Sequence, residues 1–321
     1  MTCSLFNMVS NSSDKLFKRY EGNPILTKFM WPYPVNGVFN PAAVQIKDET
    51  LLLVRAEDFC GFSHLTVARS ADGKNDWYID KKPTLKADPE LGEREWGIED
   101  PRIVWLKEDN AYAITYVSFH EDGPEIALTL TEDFKHFHYK GILLPPENKD
   151  GALFPKKVGG RYVLLHRPIV RGERHIWVTF SRDLKYWGYN GVLMPTRPGS
   201  WDCSWIGIGP PPIETKEGWL MIYHGTRVTA AGSLYRVGLA MLDLEEPWKV
   251  THRSREWVFG PEANYEQIGD VPGVTFPAGA IYDRASNELR LYYGAADTSV
   301  ALAMADMDDV LAYITSPSNK V

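Results

Sequence analysis

The stretch "IEDPRIVWL", residues 98–106, sets two acids, Glu99 and Asp100, against a proline and an arginine. Pro101 has a fixed φ and pushes Asp100 toward an extended backbone. Ile103, Val104 and Trp105 then have strand character. The stretch is therefore a strand start that holds a carboxylate rigidly at its mouth. It also recurs. "FNPAAVQI" (39–46), "ALFPKKV" (152–158), "GPPPIET" (209–215) and "TFPAGAIY" (275–282) have the same apolar-proline character. Their prolines, Pro41, Pro101, Pro155, Pro211 and Pro277, are spaced by 60, 54, 56 and 66 residues.

Each start is followed by a second apolar strand: "LLLVRAED" (51–58), "YAITYVSF" (112–119), "YVLLHRP" (162–168), "WLMIYHG" (219–225) and "LRLYYGAAD" (289–297). A third follows in turn: "LTVARSADG" (65–73), "IALTLTEDF" (126–134), "IWVTFSRDL" (176–184), "VGLAMLDL" (237–244) and "VALAMADM" (300–307). An aromatic such as Trp77, Phe137 or Trp187 then marks an outer strand. Five units of roughly 50–65 residues, each of three or four short strands, predict an all-β, five-bladed β-propeller. A β-sandwich is the alternative, but it predicts no five-fold recurrence. Helix signals are confined to the ends, at 12–20 and in "DMDDVLAYI" (306–314). The chain shows no linker and no low-complexity segment, so residues 1–321 are expected to form one domain.

Composition narrows the function classes. Hydrophobic residues make up 44%, enough for a core, and a net charge of −7 excludes the basic footprint of a nucleic-acid binder. Three cysteines, Cys3, Cys60 and Cys203, form no disulfide framework. The first residues lack a basic start followed by an apolar run, and no stretch approaches the length of a membrane-spanning helix. A cytoplasmic protein is the expectation. The 11 Trp and 16 Tyr suit sheet packing, or stacking on sugar rings.

Equivalent blade positions converge at a propeller's centre. The residues before the repeated prolines are Asn40, Asp100, Phe154, Pro210 and Phe276. The second strands end in Arg55, Glu57, Asp58, Ser118, His166, Arg167, His224 and Asp297. Any one of these has an ordinary reading as a solvated or capping group. Together they mix acids, bases and aromatics as a carbohydrate site does. His136 and His138 fit alternation on an outer strand, and no spacing resembles a metal site. No G-x-S-x-G occurs, and "GIGPPP" lacks the Lys-Ser/Thr of a P-loop.

An inverting glycosidase needs an acid and a base with a water between them. Five-bladed glycosidases of the arabinanase and xylosidase type carry an aspartate base where this chain has Asn40, and an amide cannot act as a base. Phosphorolysis needs no base, because phosphate is already a nucleophile. It needs one general acid and cations for the anion. Asp100 with Arg55, Lys149, Arg167 and His224 meets that requirement, although the same cations can equally hold a substrate carboxylate.

"FNPAAV", "LLLVRAED", "WGIEDPRI", "KDGALFPKKVGGRYVLLHRP", "GWLMIYHG" and "YYGAAD" together resemble the β-mannoside phosphorylases of glycoside hydrolase family 130, from about residue 20 to 315. The resemblance implies that Asp100, in E-D-P-R, is the general acid, acting through the mannose 3-hydroxyl. It implies mannose binding by Asn40, Arg55, Asp58 and Asp297. It implies phosphate binding by Lys149, Arg167, His224 and Tyr235, with Arg55 a less clear contributor. Arg102 is expected as an ion-pair partner of Glu99. The implied reaction is inverting phosphorolysis of β-mannosidic oligosaccharides, β-1,4 favoured over β-1,2, to α-mannose 1-phosphate. "RPGSWDCSWIGIGPPP" looks most like the mannooligosaccharide group. No cofactor or metal is implied. The expected partners are a small oligosaccharide and phosphate, with no nucleic acid and no membrane, and a homo-oligomer is expected because members of the family often associate. Family members that hydrolyse instead lack the basic cluster and use an extra acidic pair. A β-mannoside hydrolase and a non-catalytic sugar-binding propeller are the alternatives. Loops 28–38, 59–64, 120–124 and 196–205 are expected to set the acceptor.

Overall fold

The structure, a computed structural model, describes residues 16–91, 96–230 and 232–321. Five antiparallel sheets follow one another along the chain. Blade I comprises Gly37–Ile46, Glu49–Glu57, Ser63–Ser70 and Tyr78–Ile79, and blade II comprises Ile98–Leu106, Ala111–His120, Gly123–Thr131 and His138–Leu144. Blade III comprises Asn148–Leu153, Tyr162–Pro168, Ile176–Ser181 and Trp187–Met194. In blade IV, Trp205–Ile208 and the short Ile213–Glu214 both pair with Trp219–Thr229, followed by Gly232–Leu242 and Val250–Arg253.

Blade V is built from both ends of the chain. Thr275–Asp283, Glu288–Ala295 and Ser299–Asp306 come from the C-terminal part, and Lys18–Arg19 adds the outer strand by pairing with Met304 and Ala303. This pairing joins the first described residues to the last blade and closes the ring. Arg19 reinforces it by donating from Nε to Glu266 Oε1 at 2.9 Å and from Nη1 to Glu262 Oε2 at 2.9 Å. The helix expected at 12–20 is therefore a strand in its described part, and residues 12–15 lie outside the described residues. The C-terminal helix forms at Met307–Ile314, with Asp306 accepting from the backbone N–H of Asp308 and Asp309.

The alternation of each second strand explains the ring. Successive side chains point to opposite faces. In blade I, Leu51 and Leu53 pack against Ile114 and Tyr116 of blade II, while Leu52 and Val54 share a core with Tyr292 and Leu302 of blade V. The same division gives apolar clusters between blades II and III, III and IV, and IV and V. A sheet buried on both faces needs a neighbour on each side, which a closed ring supplies for all five.

Two strand starts differ from the sequence expectation. Pro155 and Pro211 lie just beyond their inner strands, Asn148–Leu153 and Trp205–Ile208, not within them. Pro41, Pro101 and Pro277 do lie inside theirs. Phe154 is consequently a core residue, edge-on to Trp219 with ring centroids 4.9 Å apart.

Candidate active site

Three inner strands carry the same irregularity. The pairing register shifts between Phe39 and Ala42 in blade I, Glu99 and Arg102 in blade II, and Lys149 and Ala152 in blade III. Each bulge places an Asn or Asp in the left-handed region: Asn40 at φ 46°, Asp100 at 47° and Asp150 at 56°. These are the side chains that tolerate that conformation best, and bulges re-aim side chains next to active sites. Asp150 is thus the blade III equivalent of Asp100, a role the proline pattern assigned to Phe154. In blade IV the approach is closer still. A Cβ at Gly207 would collide with the Asp150 carboxylate and the His224 ring, so only glycine fits there.

The bulges open onto a cavity of about 180 Å³ lined by Asn40, Arg55, Asp100, Lys149, Asp150, Arg167, His224, Tyr235, Phe276 and Asp297, with Val271 and Val274. Eight of the nine residues expected in the site lie here. The exception is Asp58, whose Oδ1 accepts from the backbone N–H of Cys60 at 2.8 Å and Phe62 at 2.9 Å, tying down its own loop. His166 also stands apart, its Nδ1 3.1 Å from Asn148 Oδ1.

Asp100 is buried and multiply held. Asn40 Nδ2 donates to its Oδ1 at 2.9 Å and Arg55 Nη1 at 3.1 Å. Burial alone would raise its pKa, but the charges of Arg55, Arg102 and Lys149 and the Asn40 hydrogen bond hold it below the usual carboxylate value. Arg55 also donates to Glu99 at 2.8 Å, and Lys149 meets the other Glu99 oxygen at 3.2 Å. Glu99 is therefore paired with Arg55 and Lys149. Arg102, expected as its partner, instead donates to the carbonyls of Asp100, Ile208 and Gly209 and to Asp150 Oδ1 at 3.4 Å. The β-strand geometry explains the difference: the bulge at 100–101 turns Arg102 away from Glu99 toward blade IV.

Across the cavity, Arg167 Nε donates to Asp150 Oδ2 at 2.6 Å, and His224 Nε2 lies 3.8 Å from the same oxygen. Burial pushes His224 down to about 4, Asp150 opposes and Arg167 and Arg102 add to the fall, so the imidazole is neutral near pH 7. Asp297 is pushed up to about 7, by burial first, with Arg55 opposing and Asp100, Glu57 and Glu99 adding to the rise. Two buried atoms of residues that line the cavity, Asn40 Oδ1 and His224 Nδ1, have no hydrogen-bond partner among the described residues. Among the described residues no group of three or more His, Cys, Asp or Glu is placed to hold a metal ion. No described helix is long and apolar enough to cross a membrane.

A five-bladed propeller whose central cavity sets the carboxyl groups of Asp100, Asp150 and Asp297 against Arg55, Lys149 and Arg167 belongs in architecture with the carbohydrate-active propeller enzymes. The family described as β-1,4-mannooligosaccharide phosphorylase, glycoside hydrolase family 130, matches residues 16–316, and the chain belongs to it. The chain is 35% identical to a β-1,4-mannooligosaccharide phosphorylase of Ruminococcus albus over 94% of its own length and 91% of the relative's. Its fold matches the β-1,2-mannobiose phosphorylase of Listeria innocua in complex with β-1,2-mannobiose at a TM-score of 0.85, with 31% identity over 93% of this chain and 99% of that one. It also matches, at a TM-score of 0.79 and 27% identity over 90% and 93% of the two chains, a structure from work describing family 130 glycoside hydrolases that target β-1,2 mannosidic linkages in Candida mannan.

Proposed function

We propose that the chain is an inverting phosphorylase of β-mannosidic oligosaccharides, β-1,4 linkages favoured. It transfers the non-reducing terminal mannosyl group to inorganic phosphate, giving α-mannose 1-phosphate and a shortened acceptor. The observation that carries this reading is the pairing of one general-acid candidate, Asp100, with a separate wall of Lys149, Arg167 and His224 in one cavity.

The roles proposed here are those the resemblance to the family implies, and the contacts in the cavity support them. Arg167 spends Nε on Asp150, which leaves its two terminal Nη groups to grip phosphate oxygens as a fork. His224, in the same cavity wall, hydrogen-bonds a phosphate oxygen or a sugar hydroxyl. Asn40 and Asp297 bind the mannosyl hydroxyls. A phosphate oxygen forms a bond to C1 as the C1–O glycosidic bond breaks on the opposite face. The Asp100 proton passes through the mannose 3-hydroxyl to the leaving oxygen, and the phosphate proton restores Asp100. Phosphate has a second task. Its negative charge offsets Arg55, Arg102 and Lys149, which raises Asp100 toward the protonated form that a general acid needs.

A second reading, a β-mannoside hydrolase, draws on one observation. Asp297 lines the same cavity with a pKa of about 7, suited to a general base. Incubation with β-1,4- and β-1,2-mannobiose, with and without phosphate, separates the two. Mannose 1-phosphate appearing only with phosphate supports phosphorolysis, and free mannose without phosphate makes the enzyme a hydrolase. The reading also includes a cytoplasmic homo-oligomer that uses no metal or organic cofactor. Sedimentation tests the assembly, and chelation should leave turnover unchanged.

A further inference from the structure

Glu99 stands behind the central cavity. It precedes Asp100 at the blade II bulge, is buried, and does not itself line the cavity. Its side chain nevertheless ties three blades together. Oε1 accepts from Arg55 Nη2 of blade I at 2.8 Å, and Oε2 accepts from Lys149 Nζ of blade III at 3.2 Å. Both of those cations do line the cavity.

The two are held unequally. Arg55 also donates to Asp100 at 3.1 Å, to Ser63 at 2.9 Å and to Glu57 at 3.3 Å, and it lies over the Phe39 ring at 4.6 Å. Lys149 pairs with one carboxylate among the described residues, Glu99, and its ammonium lies 5.0 Å from the Phe119 ring centroid. A lysine is a point charge on a flexible stem, so its place depends on that one partner.

The charge of Glu99 acts on the same two cations. Arg55, Arg102 and Lys149 all favour the ionised form of Asp100, whereas a general acid must start protonated. Across the cavity, Asp297 of blade V repels the Asp100 charge, and His224 of blade IV is neutral near pH 7. Asp150 and Arg167, the other charged groups of the lining, pair with each other, and Arg102 also reaches Asp150. Arg55 and Lys149 are left as the cations to be offset, and Glu99 touches both. We propose that Glu99 is a positioning residue for proton delivery: it holds Arg55 and Lys149 on its two oxygens and offsets their charge, so that Asp100 can carry the proton that the leaving oxygen takes. This rests on the general-acid role proposed for Asp100 and deepens it by naming the group that regulates its proton.

Glu99→Gln keeps the size of the side chain and removes its charge. With mannoside and phosphate saturating, kcat falls on the alkaline side of its pH profile as the general acid ionises. In Glu99→Gln that limb should move about one unit toward lower pH, so that kcat drops about tenfold along the limb and returns to the wild-type level at lower pH. Lys149→Met removes the opposite charge and should move the limb toward higher pH. A loss of kcat in Glu99→Gln that is equal at every pH would make Glu99 a structural residue only and overturn the proposal. So would an unmoved limb in Lys149→Met, a measurement that needs no Glu99 variant to fold. The limb is read on whichever product wild type forms, mannose 1-phosphate or free mannose, because phosphorolysis and hydrolysis both need a protonated acid. Free mannose formed without phosphate would count against the phosphorylase reading alone, and a shifted limb would still uphold the role of Glu99.

Discussion

Asp150 grips the Nε of Arg167 at 2.6 Å and so aims the rest of that guanidinium into the cavity. The carboxylate is 1% exposed, and Arg102 holds its other oxygen. Burial would raise its pKa, yet Arg167, His224 and Arg102 hold it far below the usual value, so it stays ionised across the working range. Replacing Arg167 with Ala removes the fork. Hydrogen bonds to charged groups are worth about 1.5–3 kcal/mol, so the KM for phosphate should rise by about 10- to 100-fold. The KM for the mannoside should move less than about threefold. Steady-state kinetics with each substrate varied in turn measures both, and equal rises would remove Arg167 from the phosphate wall.

Asp100→Asn preserves the size of the side chain and its contacts with Arg55 but cannot deliver a proton. Loss of general acid catalysis should lower kcat by about 10²- to 10⁴-fold. Mannoside binding, followed by calorimetry, should be retained. Unchanged turnover would make the chain a user of some other acid.

Much of this was legible in the sequence. The second and third strands of every blade are found where alternation placed them, because a strand buried on both faces has a strong apolar signature. The inner strands were harder. Asn40 and Asp100 are each followed by proline and stand out, whereas Asp150 is followed by Gly151 and was passed over in favour of Pro155. The signal that would have found it is the shared Asn/Asp before a small or imino residue at the start of an inner strand. Asp58 misled for a different reason. Its place after the second strand is equivalent to site positions, but a local turn takes up its oxygen. The closing strand, Lys18–Arg19, is two residues long and carries no periodicity. Loops 120–124 and 196–205, expected to set the acceptor, contribute His120 and Trp205 to a cavity that Lys149 and Arg167 also line.

Asp297 gives activity a pH signature. As pH rises through about 7 it ionises, adding a negative charge to a cavity that already holds Asp100 and Asp150. That charge opposes phosphate. The KM for phosphate should therefore climb from pH 6.5 to 8, and Asp297→Asn should flatten the climb. A variant whose KM rises as steeply as wild type's would assign the effect elsewhere.

Stability has its own pH dependence, with opposing terms. Burial pushes His64, His166 and His224 each down to about 4 from an unfolded value of 6.5. The unfolded chain binds more protons between those limits, so these three histidines contribute stability that grows as pH rises from 4 to 6.5 and is lost as pH falls. Asp297 works in reverse: its pKa is raised in the fold, so its contribution is present below about 3.8 and is lost as pH rises through about 7. Three groups outweigh one. The urea midpoint should rise between pH 5 and 6.5, and a midpoint that fell over that range would contradict the buried neutral histidines.

Ring closure offers the last test. Arg19 reaches two glutamates of very different exposure: Glu266 is fully buried, while Glu262 has a side chain 55% exposed. Glu266 also accepts from Tyr293 at 2.6 Å and from the backbone N–H of Glu262 at 2.7 Å and Ala263 at 2.9 Å, so it is the fixed point of the junction. Removing the partner of a buried ion is expensive, whereas an exposed pair is worth little. Arg19→Ala should thus destabilise the protein by about 3 kcal/mol in urea unfolding, since it strands the Glu266 carboxylate and frees the closing strand. Glu262→Ala should cost less than about 1 kcal/mol. If both variants cost equally little, the pairing of Lys18–Arg19 with blade V is not what holds the ring shut.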